Sequence, residues 1–570
     1  MGGIGKTELA REVARRLRRQ QPKPPGVSVV AEVNLRGWDS AQPMTEEEAL
    51  RELCAQIDSA TDPSMPLPNL RAHWRQITNQ GSPAVILDNL RDESLIDALR
   101  PTAGMTLITG RERIIRAGIQ LVEVDVMEPE EAAALAIATH PDLSKEDAAG
   151  LAKAVGYLPL AIALAAADLA RSREPVSELQ RRIGQAAGGD TRTGMQALFE
   201  RVVAYSTADL SAEQRARWLA LSLPPGDFGL WTVQALWQDE DPQPELSDLV
   251  NRHLVLPAEG GRWRLHDLLR QYGRSVLAAE PEREQDLWRW LGPTAVRRLQ
   301  EIDARFRSGG DAMVPALAEL DAELPLLRAV QEWAAARIEE DDVAAEVASR
   351  LPHVTIVDLR LTNAENMDWL QAALHAAEHR GEKAEIATAA GNLGLVHRVR
   401  GELEEALAMH RKSLAIAEEL GNRASMARQY GNLGLVHQQR GELEEALAMH
   451  RKSLAIHEEL GNQTGIARQY GNLGVVHRRR GELGEAAKLL RKKIAIDEDM
   501  GNRPELAIGL YNLGNVLKNQ GDWAGAAEHF RLSLALAEEL GMPDADQDRQ
   551  ALAEAEAYLA GGAKAEGDPG

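Results

Sequence analysis

The sequence is poor in cysteine, in aromatic residues and in long uncharged segments. Cys54 is the one cysteine among 570 residues, which excludes an intrachain disulfide framework and a cysteine-based metal site. It falls on the apolar face of a helical pattern, and we interpret it as core filler. Aromatic residues make up 4% of the chain, and the uncharged run Ala154–Ala167 is shorter than a membrane span. No signal peptide opens the sequence, so we expect a cytoplasmic protein without a membrane partner.

Positive charge is scarce as well. The chain has 65 lysine and arginine residues against 87 aspartate and glutamate residues, a formal net charge of −22. Nucleic-acid binding depends on clustered basic side chains that neutralise phosphates, so we expect no direct nucleic-acid binding by this chain. Abundant alanine, leucine, arginine and glutamate favour helix, and the length predicts several domains.

An internal repeat is the clearest feature that the sequence does have. The segment GNLGLVH begins at Gly391 and again at Gly431, GNLGVVH begins at Gly471, and YNLGNVL begins at Tyr511, so the step is 40 residues. Each unit predicts two helices, the first ending at a glycine such as Gly441, because glycine readily adopts the left-handed conformation that ends helices. The pattern resembles the tetratricopeptide repeat (TPR), with a period longer than the usual ~34 residues.

The first helices of these repeats predict a ligand-binding surface, because stacked helical hairpins expose a concave face. The residues that recur there are Asn392, Asn432, Asn472, Asn512, Arg428 and Arg468. Such side chains can hydrogen-bond a peptide backbone or a carboxylate, so one interpretation is a protein or peptide ligand. The other is that the asparagines cap and pack between repeats. Five histidines occupy positions where TPRs carry aromatic residues, and we expect them in the core: His397, His437, His477, His410 and His450.

The first residues predict a phosphate-binding loop. Gly5, Lys6 and Thr7 match the end of the motif G-x-x-x-x-G-K-[ST], and a helical pattern follows at once. Gly2, Gly3 and Ile4 come just before them and are expected to belong to the same nucleotide-binding loop. Backbone N–H groups there would cradle phosphates, Lys6 would reach the β- and γ-phosphates, and Thr7 would bind Mg²⁺. The strand that normally precedes this loop is missing from the sequence. We therefore expect an N-terminally truncated chain in which the flanking strands lose their central partner.

Three apolar segments, residues 26–37, 83–90 and 106–113, predict the other strands of a parallel sheet. In the second segment the strand is expected to end at Asp88, a position suited to holding Mg²⁺ through water. In the third segment the strand is expected to end at Arg111, whose guanidinium would sense the γ-phosphate. Asp88 is followed by Asn89, and a neutral amide cannot take a proton from an attacking water, so we expect slow ATP hydrolysis at most.

Two later motifs complete a resemblance to a known family. VGYLPLAI, residues 155–162, resembles the G-L-P-L motif of the NB-ARC or STAND signal-transduction ATPases, and RLHDLLRQYG, residues 264–273, resembles their M-H-D motif. The chain is similar to bacterial members of this class that carry C-terminal TPRs and an upstream effector module. The resemblance implies ATP, ADP and Mg²⁺ as ligands. It also implies that Pro159 packs against adenine and that His266 contacts the β-phosphate of ADP, oriented by Asp267.

The expected fold class is multidomain. It comprises an α/β P-loop NTPase domain with its first strand missing, a helical domain, a winged-helix-like domain and an all-α TPR solenoid. The expected boundaries are 1–125 for the nucleotide-binding domain, 126–195 for the helical domain, 196–281 for the winged-helix-like domain, 282–381 for degenerate helical hairpins, 382–545 for the TPRs, and 546–570 for a C-terminal helix and disordered tail.

The implied function is a nucleotide-dependent signalling switch. ADP would bridge the ATPase subdomains in a closed state, a ligand on the TPRs would favour exchange for ATP, and the ATP state could form a homo-oligomer. Two alternatives stay open. One is a TPR scaffold with an inert nucleotide domain, and the other is a fragment of a transcriptional regulator whose DNA-binding module lies upstream. The sequence identifies neither the TPR ligand nor the effector module.

Overall fold

The computed structural model describes most of the chain. The described residues are 6–19, 29–35, 43–58, 61, 65–110, 114, 116, 118–122, 124–184, 191–354, 356–540, 542 and 545–565. They divide into two compact units, residues 1–336 with 354–364 and residues 337–353 with 365–570. Within the described ranges, no helix is both long and apolar enough to cross a membrane.

The first unit opens with a small parallel sheet and its helices. The elements are α1 (Lys6–Arg19), β1 (Val30–Asn34), α2 (Glu46–Ile57), α3 (Leu67–Gly81), β2 (Ala84–Leu90), α4 (Leu95–Leu99) and β3 (Met105–Gly110). The strand order is β1-β2-β3. Side chains alternate across a strand, so Ile86 of β2 packs against Ala10 and Ala14 of α1, while Val85 and Leu87 join the core formed with α2 and α3.

The middle strand β2 is paired along both edges. It pairs in parallel with β1 through residues 84–88 and with β3 through residues 84–87, and the second pairing shifts register between Leu87 and Leu90. The sequence predicts that strands flanking the missing first strand lack a partner. That expectation is wrong for β2 and β3, because each satisfies the backbone groups of the other.

Helices continue the first unit. A bundle is formed by α5 (Pro129–Thr139), α6 (Lys145–Ala154), α7 (Pro159–Ser172), α8 (Val176–Gly184) and α9 (Thr191–Ser206). The next elements are α10 (Ala212–Ala220), α11 (Leu230–Trp237), α12 (Gln243–Asn251), β4 (Leu256–Pro257), β5 (Trp263–Arg264) and α13 (Asp267–Ala278), with β4 antiparallel to β5. The long helices α14 (Pro281–Arg307) and α15 (Met313–Ala335) form a hairpin in which Trp288 stacks on Trp333 with ring centroids 6.1 Å apart. The assignment of residues 196–281 as winged-helix-like stays a prediction.

The second unit is a stack of antiparallel helices. They are α16 (Asp342–Arg350), α17 (Asn363–Arg380), α18 (Lys383–Val399), α19 (Leu403–Glu419), α20 (Arg423–Arg440), α21 (Leu443–Glu459), α22 (Gln463–Arg479), α23 (Leu483–Met500), α24 (Arg503–Gln520), α25 (Trp523–Leu540) and α26 (Ala545–Ala565). The pairs α18–α19, α20–α21, α22–α23 and α24–α25 are the four predicted hairpins. α26 packs on α25, where Trp523 stacks on Tyr558 with centroids 4.0 Å apart.

A repeated glycine sets the close approach of the two helices in each hairpin. A Cβ added at Gly434 would lie 2.6 Å from the ring of His450, and one at Gly514 would lie 2.6 Å from the ring of Phe530. Non-bonded atoms do not approach so closely, so any larger residue would push the helices apart. The small-residue pattern that predicts the repeats therefore has a steric cause.

Candidate functional site

The carboxyl ends of the parallel strands gather polar residues at one edge of the sheet. Asn34 ends β1, Asp88 and Asn89 lie near the end of β2, and Thr109 lies near the end of β3. Parallel strands share this edge, which is where ligands commonly bind in open α/β sheets. Thr7, in the first turn of α1, reaches the same place.

Thr7 and Asp88, which the sequence predicts separately as Mg²⁺ ligands, are in direct contact. Thr7 Oγ1 donates a hydrogen bond to Asp88 Oδ1 at 2.7 Å, and Thr109 Oγ1 donates to the same carboxylate oxygen. A hydroxyl beside a carboxylate is the donor type that Mg²⁺ takes together with phosphate oxygens and waters. The residues present therefore fit a nucleotide-bound Mg²⁺. In the described part of the chain, no three metal-ligating His, Cys, Asp or Glu side chains form a separate cluster.

The electrostatics of Asp88 reflect a buried carboxylate among donors and other acids. Asp88 is 1% exposed, and burial raises its pKa above the ordinary value. Hydrogen bonds from Thr109 and Thr7 lower this pKa, while the carboxylates of Asp267 and Glu32 raise it. A divalent cation would relieve this crowding of negative charge.

The segment with the M-H-D-like motif reaches the same region. Arg264 Nη2 lies 3.4 Å from Glu8 Oε1 in the first turn of α1, and Asp267 is close enough to Asp88 to raise its pKa. Glu8 also pairs with Arg11, whose guanidinium bonds both carboxylate oxygens of Glu32 in β1 at 2.6 to 3.0 Å. Ion pairs thus connect β5, α1 and β1.

His266 caps the N-terminus of α13. Its Nδ1 accepts a hydrogen bond from the Leu268 backbone N–H at 3.2 Å. Burial lowers the pKa of His266, so the ring is neutral near pH 7. A neutral ring that accepts at Nδ1 carries its proton on Nε2, and this N–H can donate to a phosphate oxygen.

The structure shows where Lys6 and Pro159 lie in the fold but does not test their predicted contacts with a nucleotide. Lys6 is the first residue of α1, and Pro159 is the first residue of α7, a position that suits proline. Tyr157, just before Pro159, has a φ of +57°, and its carbonyl accepts from the Met127 N–H at 3.0 Å. The phosphate role of Lys6 and the adenine role of Pro159 stay predictions. Gly2, Gly3, Ile4, Gly5 and Arg111 lie outside the described residues.

The predicted ligand residues of the repeats differ in how far they are exposed. Asn392, Asn432, Asn472 and Asn512 are half-buried, whereas Arg428 and Arg468 are exposed. Asn392 Nδ2 lies 3.3 Å from His353 Nδ1, so this first asparagine makes a packing contact beyond its own hairpin. Arg428 and Arg468 form no ion pair with any described residue, although other repeat cations do, such as Arg423 with Glu459.

Four of the five repeat histidines are buried as expected. His410 and His450 are fully buried, and their Nδ1 atoms donate to Gln429 Oε1 and Gln469 Oε1 at 3.0 and 2.9 Å. His437 is also buried, and its Nδ1 lies 2.6 Å from Glu442 Oε2. His477 is buried, and His397 is half-buried. The rings of His410 and His450 lie against Gly394 and Gly434, so they fill the space between the two helices of their hairpins.

The sequence interpretation missed three residues at the strand edge. Thr109 offers one weak signal, a hydroxyl near the end of an apolar strand. Glu8 and Arg264 are 256 residues apart, and nothing in their local sequence links them. The sequence offers only an indirect signal for this ion pair: Arg264 lies at the M-H-D-like motif and Glu8 follows the phosphate loop, and both motifs are expected to contact the same nucleotide.

Comparisons with known proteins match the repeats and find regulatory relatives. Tetratricopeptide repeat families match residues 385–459, 425–499 and 507–540. The regulatory protein AfsR of Streptomyces coelicolor is 33% identical over 301 residues, which cover 50% of this chain and 29% of that protein. The regulatory protein AfsR of Streptomyces griseus is 30% identical over 456 residues, which cover 73% of this chain and 45% of that protein.

The chain spans less than half the length of these curated relatives. A crystal structure of a signal transduction ATPase with numerous domains (STAND) from Pyrococcus horikoshii, which has a tetratricopeptide repeat sensor, aligns with 98% of this chain and 92% of that chain. Its identity is 15% and the TM-score is 0.40. Residues 385–499 and 507–540 therefore carry the tetratricopeptide repeats that the sequence predicts, and the chain is similar to bacterial proteins named as regulatory.

Proposed function

We propose that the chain is the nucleotide-responsive and protein-binding part of a signalling regulator of the STAND class. Lys6 and Thr7 hold the phosphates of ADP or ATP, and Thr7 and Asp88 hold Mg²⁺. The bound Mg²⁺ supplies positive charge that neutralises phosphate oxygens. The relatives named as regulatory proteins support a regulatory role, and the proposed domains keep the boundaries expected from the sequence.

The observation that carries this proposal is the convergence of two distant motifs on one strand edge. Thr7 contacts Asp88, and the Arg264–Glu8 ion pair brings the His266 segment to the helix that begins at Lys6. A nucleotide at this edge would contact the phosphate loop and would also accept a hydrogen bond from the Nε2–H of His266. Dissociation of the nucleotide would release the His266 segment, and this difference is the physical basis for a switch between closed and open states.

Hydrolysis is not the main activity in this proposal. Asn89 stands beside Asp88 and cannot accept a proton, and no other residue is assigned as the base. The state of the switch then depends on which nucleotide is bound, and exchange rather than turnover changes it. Association of ATP-bound protomers is a further part of the proposal.

The test is the nucleotide content of the purified chain. Denaturation followed by chromatography should release ADP at close to one molecule per chain. Lys6→Ala should abolish this, because the phosphates lose their principal cation. Lys145→Ala, at an exposed lysine that opens α6 in the same unit, is the matched control and should retain ADP. His266→Ala should retain less ADP than the control.

A folded wild-type chain that releases no nucleotide would contradict the switch. The scaffold alternative would then stand, with an inert nucleotide domain and a binding function confined to the repeats. Circular dichroism of the same sample shows whether the chain is folded. Equal ADP content in wild type and Lys6→Ala would also contradict the assignment of the phosphate site.

The repeat face is proposed to bind a protein segment rich in acidic side chains. Positions i, i+4, i+7 and i+11 lie on one face of a helix. In α18, α20, α22 and α24 this face starts at Thr388, Arg428, Arg468 and Ile508 and includes the four asparagines. None of its side chains is a carboxylate, in a chain with 87 acidic residues. A face that lacks carboxylates and carries unpaired arginines complements acidic peptides.

Charge reversal tests this partner class. Fluorescent poly-glutamate should bind the full chain, and Arg428→Glu with Arg468→Glu should weaken binding by about tenfold or more, since two bidentate contacts become repulsive. Arg411→Glu with Arg451→Glu makes the same charge change at exposed positions of the second helices and is the control. Equal weakening by both pairs would show a non-specific charge effect and contradict the proposed face.

A further inference from the structure

Asn89 connects all three strands at the candidate nucleotide site. Its backbone N–H donates to Thr109 Oγ1 in β3 at 3.2 Å, and its side-chain Nδ2 donates to Asn34 Oδ1 at the end of β1 at 3.3 Å. Asn89 itself lies in β2. One residue therefore spans the edge of the sheet where the phosphate loop helix begins.

The backbone of Asn89 makes this connection possible. Its φ is +57°, in the left-handed region that asparagine tolerates better than most residues. The β2–β3 ladder shifts register between Leu87 and Leu90, on either side of this conformation. The turn of the backbone directs the N–H of Asn89 to the hydroxyl of Thr109 rather than to a carbonyl of β3.

The hydroxyl of Thr109 is fixed in direction by its two partners. It accepts from the N–H of Asn89, and a backbone N–H can only donate. Its single proton is then donated to Asp88 Oδ1, the oxygen that also accepts from Thr7. Thr109 is 6% exposed and Asp88 is 1% exposed, so water does not replace these bonds readily.

We propose that Asn89 and Thr109 are positioning residues that set the Asp88 carboxylate toward Thr7. This inference rests on the proposed nucleotide function and names the residues that orient its metal ligand. Asn89 then has a structural role of its own, in addition to being a residue that cannot act as a base. Its amide holds the strand edge together, and its N–H orders the hydroxyl that orients Asp88.

Substitutions at Thr109 separate positioning from simple packing. Thr109→Val keeps the shape and removes the hydroxyl, and Thr109→Ser keeps the hydroxyl and removes the methyl group. The measured quantity is the ratio of ADP dissociation constants without and with Mg²⁺ in the full chain. Thr109→Val should reduce this ratio by about tenfold, equivalent to ~1.4 kcal/mol, and Thr109→Ser should restore it. General destabilisation would weaken ADP binding with and without Mg²⁺ alike.

Hydrogen exchange of the Asn89 amide gives a readout that needs no nucleotide. Thr109→Val should accelerate exchange at this amide because its acceptor is lost, and Thr109→Ser should leave it protected. Asn89→Gly keeps the left-handed backbone and the N–H, so it should preserve the Mg²⁺ ratio better than Asn89→Ala, which places a Cβ at a positive φ.

The outcomes distinguish the two proposals. If the wild type binds ADP and Thr109→Val leaves the Mg²⁺ ratio unchanged, the positioning role is wrong while the nucleotide function stands. If the wild type binds no ADP, the proposed function fails, and the exchange comparison decides the strand connection alone. Unchanged exchange at Asn89 in Thr109→Val would then overturn it.

Discussion

Lys493 in the third repeat provides a sharp test of how the repeat core tolerates charge. Its ammonium lies 2.6 Å from Asp497 Oδ2 and 2.9 Å from Glu505 Oε2, and it donates to the Glu505 carbonyl at 3.0 Å. Lys493 is 3% exposed and Asp497 is 1% exposed, so their ion pair is buried. Removal of one partner of such a pair leaves an uncompensated charge in the core.

The expected energies follow from burial. Lys493→Met keeps the length of the side chain and removes the ammonium, which should destabilise the hairpin by about 3 to 5 kcal/mol because Asp497 stays buried and unpaired. Asp497→Ala should cost about 1 to 3 kcal/mol, since Lys493 keeps its bonds to Glu505. The double variant Lys493→Met with Asp497→Ala contains neither buried charge and should lose less than Lys493→Met alone. The coupling between the two sites should therefore exceed the cost of Asp497→Ala alone, about 1 to 3 kcal/mol.

Native-state hydrogen exchange of α23 and α24 in the full chain measures this local stability. Lys412→Met is the matched control, because Lys412 forms an exposed pair with Glu378, and such pairs contribute about 1 kcal/mol or less. The reasoning is refuted if Lys493→Met costs no more than the control. It is refuted equally if the double variant costs the sum of the two single variants.

Three further predictions concern other buried groups. Burial lowers the pKa of His410 and His450 to about 4, below the unfolded value near 6.5, so the unfolded chain binds more protons between these pH values. The free energy of unfolding should fall as the pH drops from about 6.5 to 4, by about 3 kcal/mol per histidine at pH 4. Urea titrations of the variant with leucine at both positions should show a weaker pH dependence. Leucine is chosen because the third repeat carries Leu490 at this position. Burial raises the pKa of the Cys54 thiol to about 12, so a thiol reagent should modify it at the rate of local unfolding; modification at the rate of a model thiol would contradict its burial. Gly434→Ala should lower the thermal midpoint, because the added methyl group would clash with the His450 ring and such overpacking costs about 1 to 3 kcal/mol. An unchanged midpoint would show that the ring moves freely.

The repeat unit was the most predictable part of the chain. A fixed step of 40 residues predicted a helix that ends at Gly441, and the structure has α20 over Arg423–Arg440 with Gly441 in the left-handed conformation just after it. The periodicity sets both the glycine contacts and the buried rings, because each repeat packs on a near copy of itself. The Lys493–Asp497 pair could not be predicted this way, since it arises where the third repeat departs from the pattern.

The strand edge was predictable in its residues and less so in its connections. Thr7 and Asp88 were each predicted to bind Mg²⁺, and the structure places them in contact where the start of a helix and the end of a strand converge. The left-handed conformation of Asn89 was not expected, since asparagine adopts it only in some contexts. The direct pairing of β2 with β3 was missed because strand order depends on long-range contacts that local patterns do not encode.

The polar clusters of the two units have different roles because their hydrogen bonds arise differently. In the repeats, His410 and Gln429 lie in neighbouring hairpins, and the corresponding positions of the third and fourth hairpins carry Leu490 and Gly509. Replacement of both residues of such a pair together is compatible with a packing role. We therefore expect that one pair can be substituted by the other at the corresponding positions of the repeats. At the strand edge, three separate elements supply hydrogen bonds to one buried carboxylate oxygen or to its neighbours. No second copy of this arrangement exists in the described residues of the sheet, so even a change that preserves shape should alter the site.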